Sequence, residues 1–155
     1  MDTAEVNPDV VAGAPEPVVK SVVVEGVSLY TEDRGSRPPV LIVGAADEDA
    51  EIYRGVAERL ADRYRAVTYD RRGTGRSDNA GWPTDSVRHA DDAAEVIRDL
   101  NLQGATVLGV SAGGIVALRL ALRQPEVVST VLRFEPGVFS ATVAGEAPGL
   151  KAQNG

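Results

Sequence analysis

From Val40 onward, short apolar runs alternate with segments whose apolar positions recur at helical spacing. Val40-Leu41-Ile42-Val43, Arg65 to Tyr69, Ala105 to Val110 and Val128 to Phe134 are apolar on both faces, as strands buried inside a parallel sheet are. Between them, Asp49 to Arg63 places Ile52, Val56 and Leu60 at helical spacing, with Ala57 and Ala61 beside them. Thr84 or Asp85 is positioned to cap a second helix whose apolar side runs Val87, Ala90, Ala94 and Ile97. Gly114 to Gln124 predicts a third, strongly apolar helix, with Arg119 and Arg123 on its wet side and Pro125 ending it. Upstream, Ser21 to Glu25 and Val27 to Thr31 are β-rich and separated by Gly26, which suggests a hairpin. Glu32 to Pro38 has the composition of a polar turn. The alternation predicts an α/β fold: a mostly parallel sheet with helices on both faces. Residues 1–17 hold Pro8, Pro15, Pro17 and several acids and read as a disordered tail; 18–136 form the domain; 137–155 lack any period and read as an irregular tail.

Composition narrows the chemistry. The 155 residues carry a formal charge of -7, which disfavours nucleic acid and anionic membrane as partners. There is no cysteine, so thiol catalysis, disulfides and zinc–thiolate sites are excluded. The single histidine, His89, rules out a multi-histidine metal centre, and neither a metal nor a cofactor is expected. Asp2 and Glu5 interrupt any secretory pattern, and the apolar run Ala105 to Leu118 is too short to span a bilayer. These features predict a soluble, cytoplasmic protein. Gly73-Thr74-Gly75-Arg76-Ser77-Asp78 lacks the third glycine of a dinucleotide fingerprint.

One motif carries chemistry. Gly109-Val110-Ser111-Ala112-Gly113 joins a core strand directly to a helix. A serine on so tight a turn stands clear of the sheet, and Gly109 and Gly113 let neighbouring backbone approach. The helix N-terminus, beginning with the N–H of Ala112, then faces developing negative charge on a substrate oxygen. Ser111 is the candidate nucleophile.

In this setting the chain resembles the N-terminal half of the α/β-hydrolase fold family, particularly its esterase and haloperoxidase-like branch. The resemblance is carried in order by Val40-Leu41-Ile42-Val43-Gly44, by Tyr69-Asp70-Arg71-Arg72-Gly73-Thr74-Gly75-Arg76-Ser77-Asp78, by His89 to Ala94, by the elbow, and by Leu132-Arg133-Phe134-Glu135-Pro136. It implies that the backbone N–H of Ala45 is the second oxyanion donor. The nearby acids Asp47, Glu48 and Asp49 are expected to start the following helix and not to face the site. Asp70, Arg71, Arg72 and Asp78 are expected to fix their loop by hydrogen bonds.

The resemblance also implies a catalytic histidine after the last strand and an acid after the seventh or sixth. The sequence ends just past the sixth-strand match, so the expectation is a fragment or truncated form lacking the last strands and the cap. Glu135 matches the sixth-strand acid of some relatives. His89, inside a helix, matches a position without a catalytic role and is a poor substitute base. The expected function is a serine hydrolase of small esters or lactones, inactive alone. The alternative is a non-catalytic binding or partner-interaction protein of the same fold. The last strand, with Val131, Leu132 and Phe134, is expected to form an exposed edge. That edge would favour self-association or pairing with a complementary C-terminal fragment.

Overall fold

Six strands hydrogen-bond in the order β1-β2-β4-β3-β5-β6. They are β1 (Val18–Val24), β2 (Val27–Arg34), β3 (Pro39–Val43), β4 (Arg65–Tyr69), β5 (Ala105–Val110) and β6 (Val128–Phe134). The helices are α1 (Arg54–Leu60), α2 (Ser86–Asp99) and α3 (Ala112–Arg123). The structure is a computed structural model and describes residues 13–81 and 84–135. The predicted tail 137–155, and residues 1–12 of the predicted tail 1–17, lie outside the described residues. The β1–β2 and β2–β4 pairs are antiparallel; β3–β4, β3–β5 and β5–β6 are parallel. The α/β architecture follows from this alternation, because each parallel pair needs a crossover long enough to hold a helix. The chain leaves β3 toward β4 and then steps back across β3 to β5. The loops after β3 and β5 therefore meet at the point where strand order reverses, which is where open α/β sheets bind ligands.

The β1–β2 hairpin closes through Glu25 and Gly26, both at positive φ (48° and 82°), as a two-residue turn between twisted strands requires. β2 runs on to Arg34, through residues whose composition suggested a turn. Glu32, Asp33 and Arg34 pair with Thr68, Val67 and Ala66 of β4. Their charges are neutralised in place: Arg34 lies 2.8 Å from Glu32 and Arg65 lies 2.6 Å from Asp33. The chain turns only at Gly35, at φ 82°.

Helices α2 and α3 cover one face of the sheet. Val22, Leu29, Leu41, Val67 and Val107 meet Ala93, Ile97, Val116 and Leu120 there in the main core. Asp85 caps α2 by accepting from the Arg88 N–H at 2.8 Å.

On the opposite face α1 packs over Val40, Ile42 and Ala66. The side of this segment that faces the sheet differs from the predicted stripe. Ile52 and Val56 are 61% and 45% exposed, while Tyr53 and Ala57 are buried. The segment opens as a 3₁₀ turn at Ala50–Tyr53 before becoming α-helical. That tighter winding turns Tyr53 inward in place of Ile52, while Ala57 and Leu60 keep the predicted inward side. On the same face, Leu108 and Val110 of β5 pair with Leu132 and Phe134 of β6. Leu132 and Phe134 are 51% and 60% exposed, and no described strand pairs with the outer side of β6. No described helix is long and apolar enough to cross a membrane.

Candidate active site

Ser111 stands between β5 and α3 with φ 50° and ψ -117°. A non-glycine residue there costs on the order of 1–3 kcal/mol and persists only when its surroundings impose it. They do so from both sides. The Ser111 N–H donates to the Phe134 carbonyl, and the Gly114 N–H donates to the Ser111 carbonyl, each at 2.9 Å. A Cβ on Gly109 would lie 2.5 Å from the Gly113 carbonyl oxygen, and one on Gly113 would lie 2.1 Å from that of Val43. Both positions admit only glycine, and their closeness brings the corner onto the end of β3. The Ser111 side chain makes no capping bond to α3. Ala112 opens that helix, so its N–H has no acceptor within the helix and lies at the positive end of the dipole.

The loop after β3 is built differently. The Gly44 carbonyl abuts Gly113, where an added Cβ would lie 2.5 Å away. The Ala45 N–H donates to the Tyr53 phenol oxygen at 2.9 Å, and the phenol donates in turn to Glu48. Arg71 holds the Ala45 carbonyl through Nη2 at 2.5 Å. Burial, followed by the bond to Glu48, pushes the Tyr53 phenol up to about 12, so it stays neutral near pH 7. The three acids divide their roles. Asp49 caps the 3₁₀ turn by accepting from the Glu51 N–H at 3.0 Å. Asp47 is exposed at φ 60°. Glu48 turns to Tyr53, so its charge stands beside the Ala45 loop, where the sequence reading placed only helix-starting acids. The helix-end role alone did not foresee a phenol that needs an acceptor.

The loop after β4 is fixed by charge. Asp70 accepts from the Ala50 N–H at 2.7 Å and from the Arg76 N–H and Nε at 2.8 Å each. Burial alone would raise the Asp70 carboxyl, but these donors outweigh it and hold the group below its ordinary value. Arg72 grips Asp92 of α2 with two bonds, at 2.9 and 3.0 Å, inside the protein. Asp78 accepts from the Ser28 N–H at 2.9 Å.

His89 is buried on α2, and burial, then the charges of Arg71 and Arg72, pull it down to about 4. Such an imidazole is a weak base. Glu135 directly follows Phe134, whose carbonyl accepts from Ser111; it is exposed at φ 45°. Among the described residues no group of His, Asp or Glu is arranged to hold a metal ion. Sequence reasoning missed Tyr53 and the contact of Arg71 with the Ala45 loop. The available signal was the Tyr53–Ala57 spacing, which competed with the more apolar Ile52–Val56 stripe.

A serine on a strained strand-to-helix corner, beside the loop of the neighbouring parallel strand, is the arrangement of an α/β-hydrolase. The chain belongs to the α/β-hydrolase fold family: residues 38–133 match it. It is 37% identical over 117 residues to "Uncharacterized hydrolase YraK" of Bacillus subtilis, covering 73% of this chain and 42% of that protein. Among solved structures it resembles Est816, described as an N-acyl homoserine lactone degrading enzyme. The TM-score is 0.73 with 28% identity, over 76% of this chain and 46% of Est816. It also resembles E-2-(acetamidomethylene)succinate hydrolase, with TM-score 0.70 and 27% identity over 74% of this chain and 43% of that one. The chain thus spans less than half the length of these relatives.

Proposed function

We propose that Ser111 is the nucleophile of a hydrolase acting on carboxylic esters or lactones through an acyl-enzyme. The observation that carries this reading is the strained backbone of Ser111, fixed between two glycines that admit no side chain. In the proposed reaction the Ser111 oxygen bonds to the substrate carbonyl carbon, and the N–H groups of Ala45 and Ala112 stabilise the oxyanion. The alcohol, or the opened end of the lactone, leaves with the serine proton, and water then releases the acid. A base must carry that proton. His89 is too weak, and a histidine from outside these 155 residues fills the role, with Glu135 a candidate to orient it. The lactone assignment draws support from the likeness to Est816.

The test is covalent labelling with a fluorophosphonate in imidazole buffer, where imidazole substitutes for the base. A single adduct that rises with imidazole and vanishes in Ser111→Ala supports the reading. Absence of labelling favours the second reading, a non-catalytic binding protein of the same fold, for which the weak basicity of His89 speaks.

The outer side of β6, with Leu132 and Phe134, is proposed as the joint for a further strand. That strand belongs to a second copy of the chain or to a complementary fragment. Concentration-dependent dimers in light scattering, lost in Val131→Pro, support the second copy; a monomer at all concentrations leaves the complementary fragment.

A further inference from the structure

The two proposed oxyanion donors are not equivalent at rest. The Ala112 N–H opens a helix, whereas the Ala45 N–H already donates to the Tyr53 phenol at 2.9 Å. We propose that Tyr53 is a latch on this site: its phenol occupies the Ala45 N–H in the resting protein, and a reacting acyl group gains that donor only by displacing the phenol. The proposal rests on the assignment of Ala45 as an oxyanion donor.

Three features make the phenol the part that moves. The Gly44 carbonyl abuts Gly113, which fixes the peptide carrying the Ala45 N–H. Arg71 holds the next carbonyl, that of Ala45, at 2.5 Å. Tyr53, in contrast, ends a short 3₁₀ turn, and its hydroxyl keeps a second partner in Glu48 when the first is lost. A phenol that lets go of Ala45 therefore leaves no buried hydroxyl unpaired. The Ala45 N–H exchanges one acceptor for another.

The exchange selects by charge. The phenol oxygen, made a better acceptor by donating to Glu48, competes with a neutral substrate carbonyl, which gains little by displacing it. A developing oxyanion accepts roughly twice as strongly, so the donor passes to the substrate chiefly as charge develops. The phenol bond given up on the way to the transition state is a cost, so the latch slows acylation and does so most where little charge develops. Tyr53 is thus a positioning residue that makes the Ala45 contact specific to the charged state.

The test measures hydrogen exchange of the Ala45 amide by NMR in the wild-type chain, Tyr53→Phe and Glu48→Gln. Tyr53→Phe keeps the ring over Gly44 and removes the hydroxyl. Its Ala45 amide is expected to exchange about tenfold faster, with Glu48→Gln between it and the wild type. Core amides of Leu41 and Val107 should be unchanged, which separates a local release from a general loss of stability. An Ala45 amide that exchanges equally in all three proteins overturns the latch.

Fluorophosphonate labelling in imidazole buffer then reads the consequence. Tyr53→Phe should label about five- to tenfold faster than wild type, the factor for one neutral hydrogen bond. Slower labelling would show that the phenol assists as a donor and would overturn the latch. If exchange at Ala45 responds while neither protein labels, the Tyr53 contact stands and the nucleophile assignment fails.

Discussion

The two sides of the candidate active site are held by different means. The elbow is made of backbone: Ser111 is fixed by two main-chain hydrogen bonds and by glycines whose neighbours leave no room for a Cβ. The Ala45 loop is made of side chains: Tyr53, Glu48 and Arg71 determine what its N–H and carbonyl meet. Backbone constraint gives a rigid corner with one conformation. Side-chain constraint gives a loop whose donor meets a phenol, the contact proposed to yield to a substrate. In the proposed reading the rigid side keeps the Ser111 nucleophile aimed, and the adjustable side offers its donor only when charge appears.

Substitutions separate the two sides, beginning with the largest effect. Gly113→Ala should remove at least about 3 kcal/mol of stability or prevent folding, because its methyl would strike the Val43 carbonyl and no flexible side chain can yield. Denaturant unfolding measures this. An equally stable Gly113→Ala protein would break the claim that the corner is sterically fixed. Asp92→Ala leaves Arg72 buried without its partner and should cost about 3–5 kcal/mol. Because Arg72 anchors the loop that carries Arg71, this change should also disturb the Ala45 amide while leaving the Ser111 amide in place.

His89 reports on the same loop through pH. Its folded value of about 4 lies below its ordinary 6.5, so between these values the unfolded chain binds more protons. Stability is therefore fully present above pH 6.5 and falls as pH drops toward 4, by about 3 kcal/mol in total. His89→Gln should flatten that slope in unfolding curves taken across the window. Asp70, held low by Arg76 and two N–H groups, adds a further loss in the same direction at lower pH. Arg71→Gln has the smallest effect, about 1–2 kcal/mol, through the lost bond to the Ala45 carbonyl. It should also let the His89 imidazole titrate higher, since Arg71 is one of the charges that depress it; an NMR titration unchanged from wild type would contradict that.

What could be read from the sequence follows the same division. Glycine spacing at 109 and 113 and the doubly apolar strands are local signals of backbone needs, so the fold and the elbow were visible. The inward face of α1 was legible in part: Ala57 and Leu60 pack on the core as expected, but a 3₁₀ start leaves Ile52 and Val56 outside and turns Tyr53 inward. That turn is what brings Tyr53 to Ala45. The extension of β2 was hidden for a related reason. Glu32, Asp33 and Arg34 look like turn residues until partners distant in sequence neutralise them. Arg71 gave no local sign of reaching across to the loop after β3, since its acceptor lies 26 residues away.

The most direct measurement follows the amide resonances of Ala45 and Ala112 before and after fluorophosphonate treatment in imidazole buffer. One adduct is expected, on Ser111, with both amides shifting strongly downfield as they bond the phosphoryl oxygen. The Ala45 N–H is expected to leave the Tyr53 phenol as it does so. No adduct at Ser111, or an adduct that leaves the Ala45 resonance where it was, would contradict this reading.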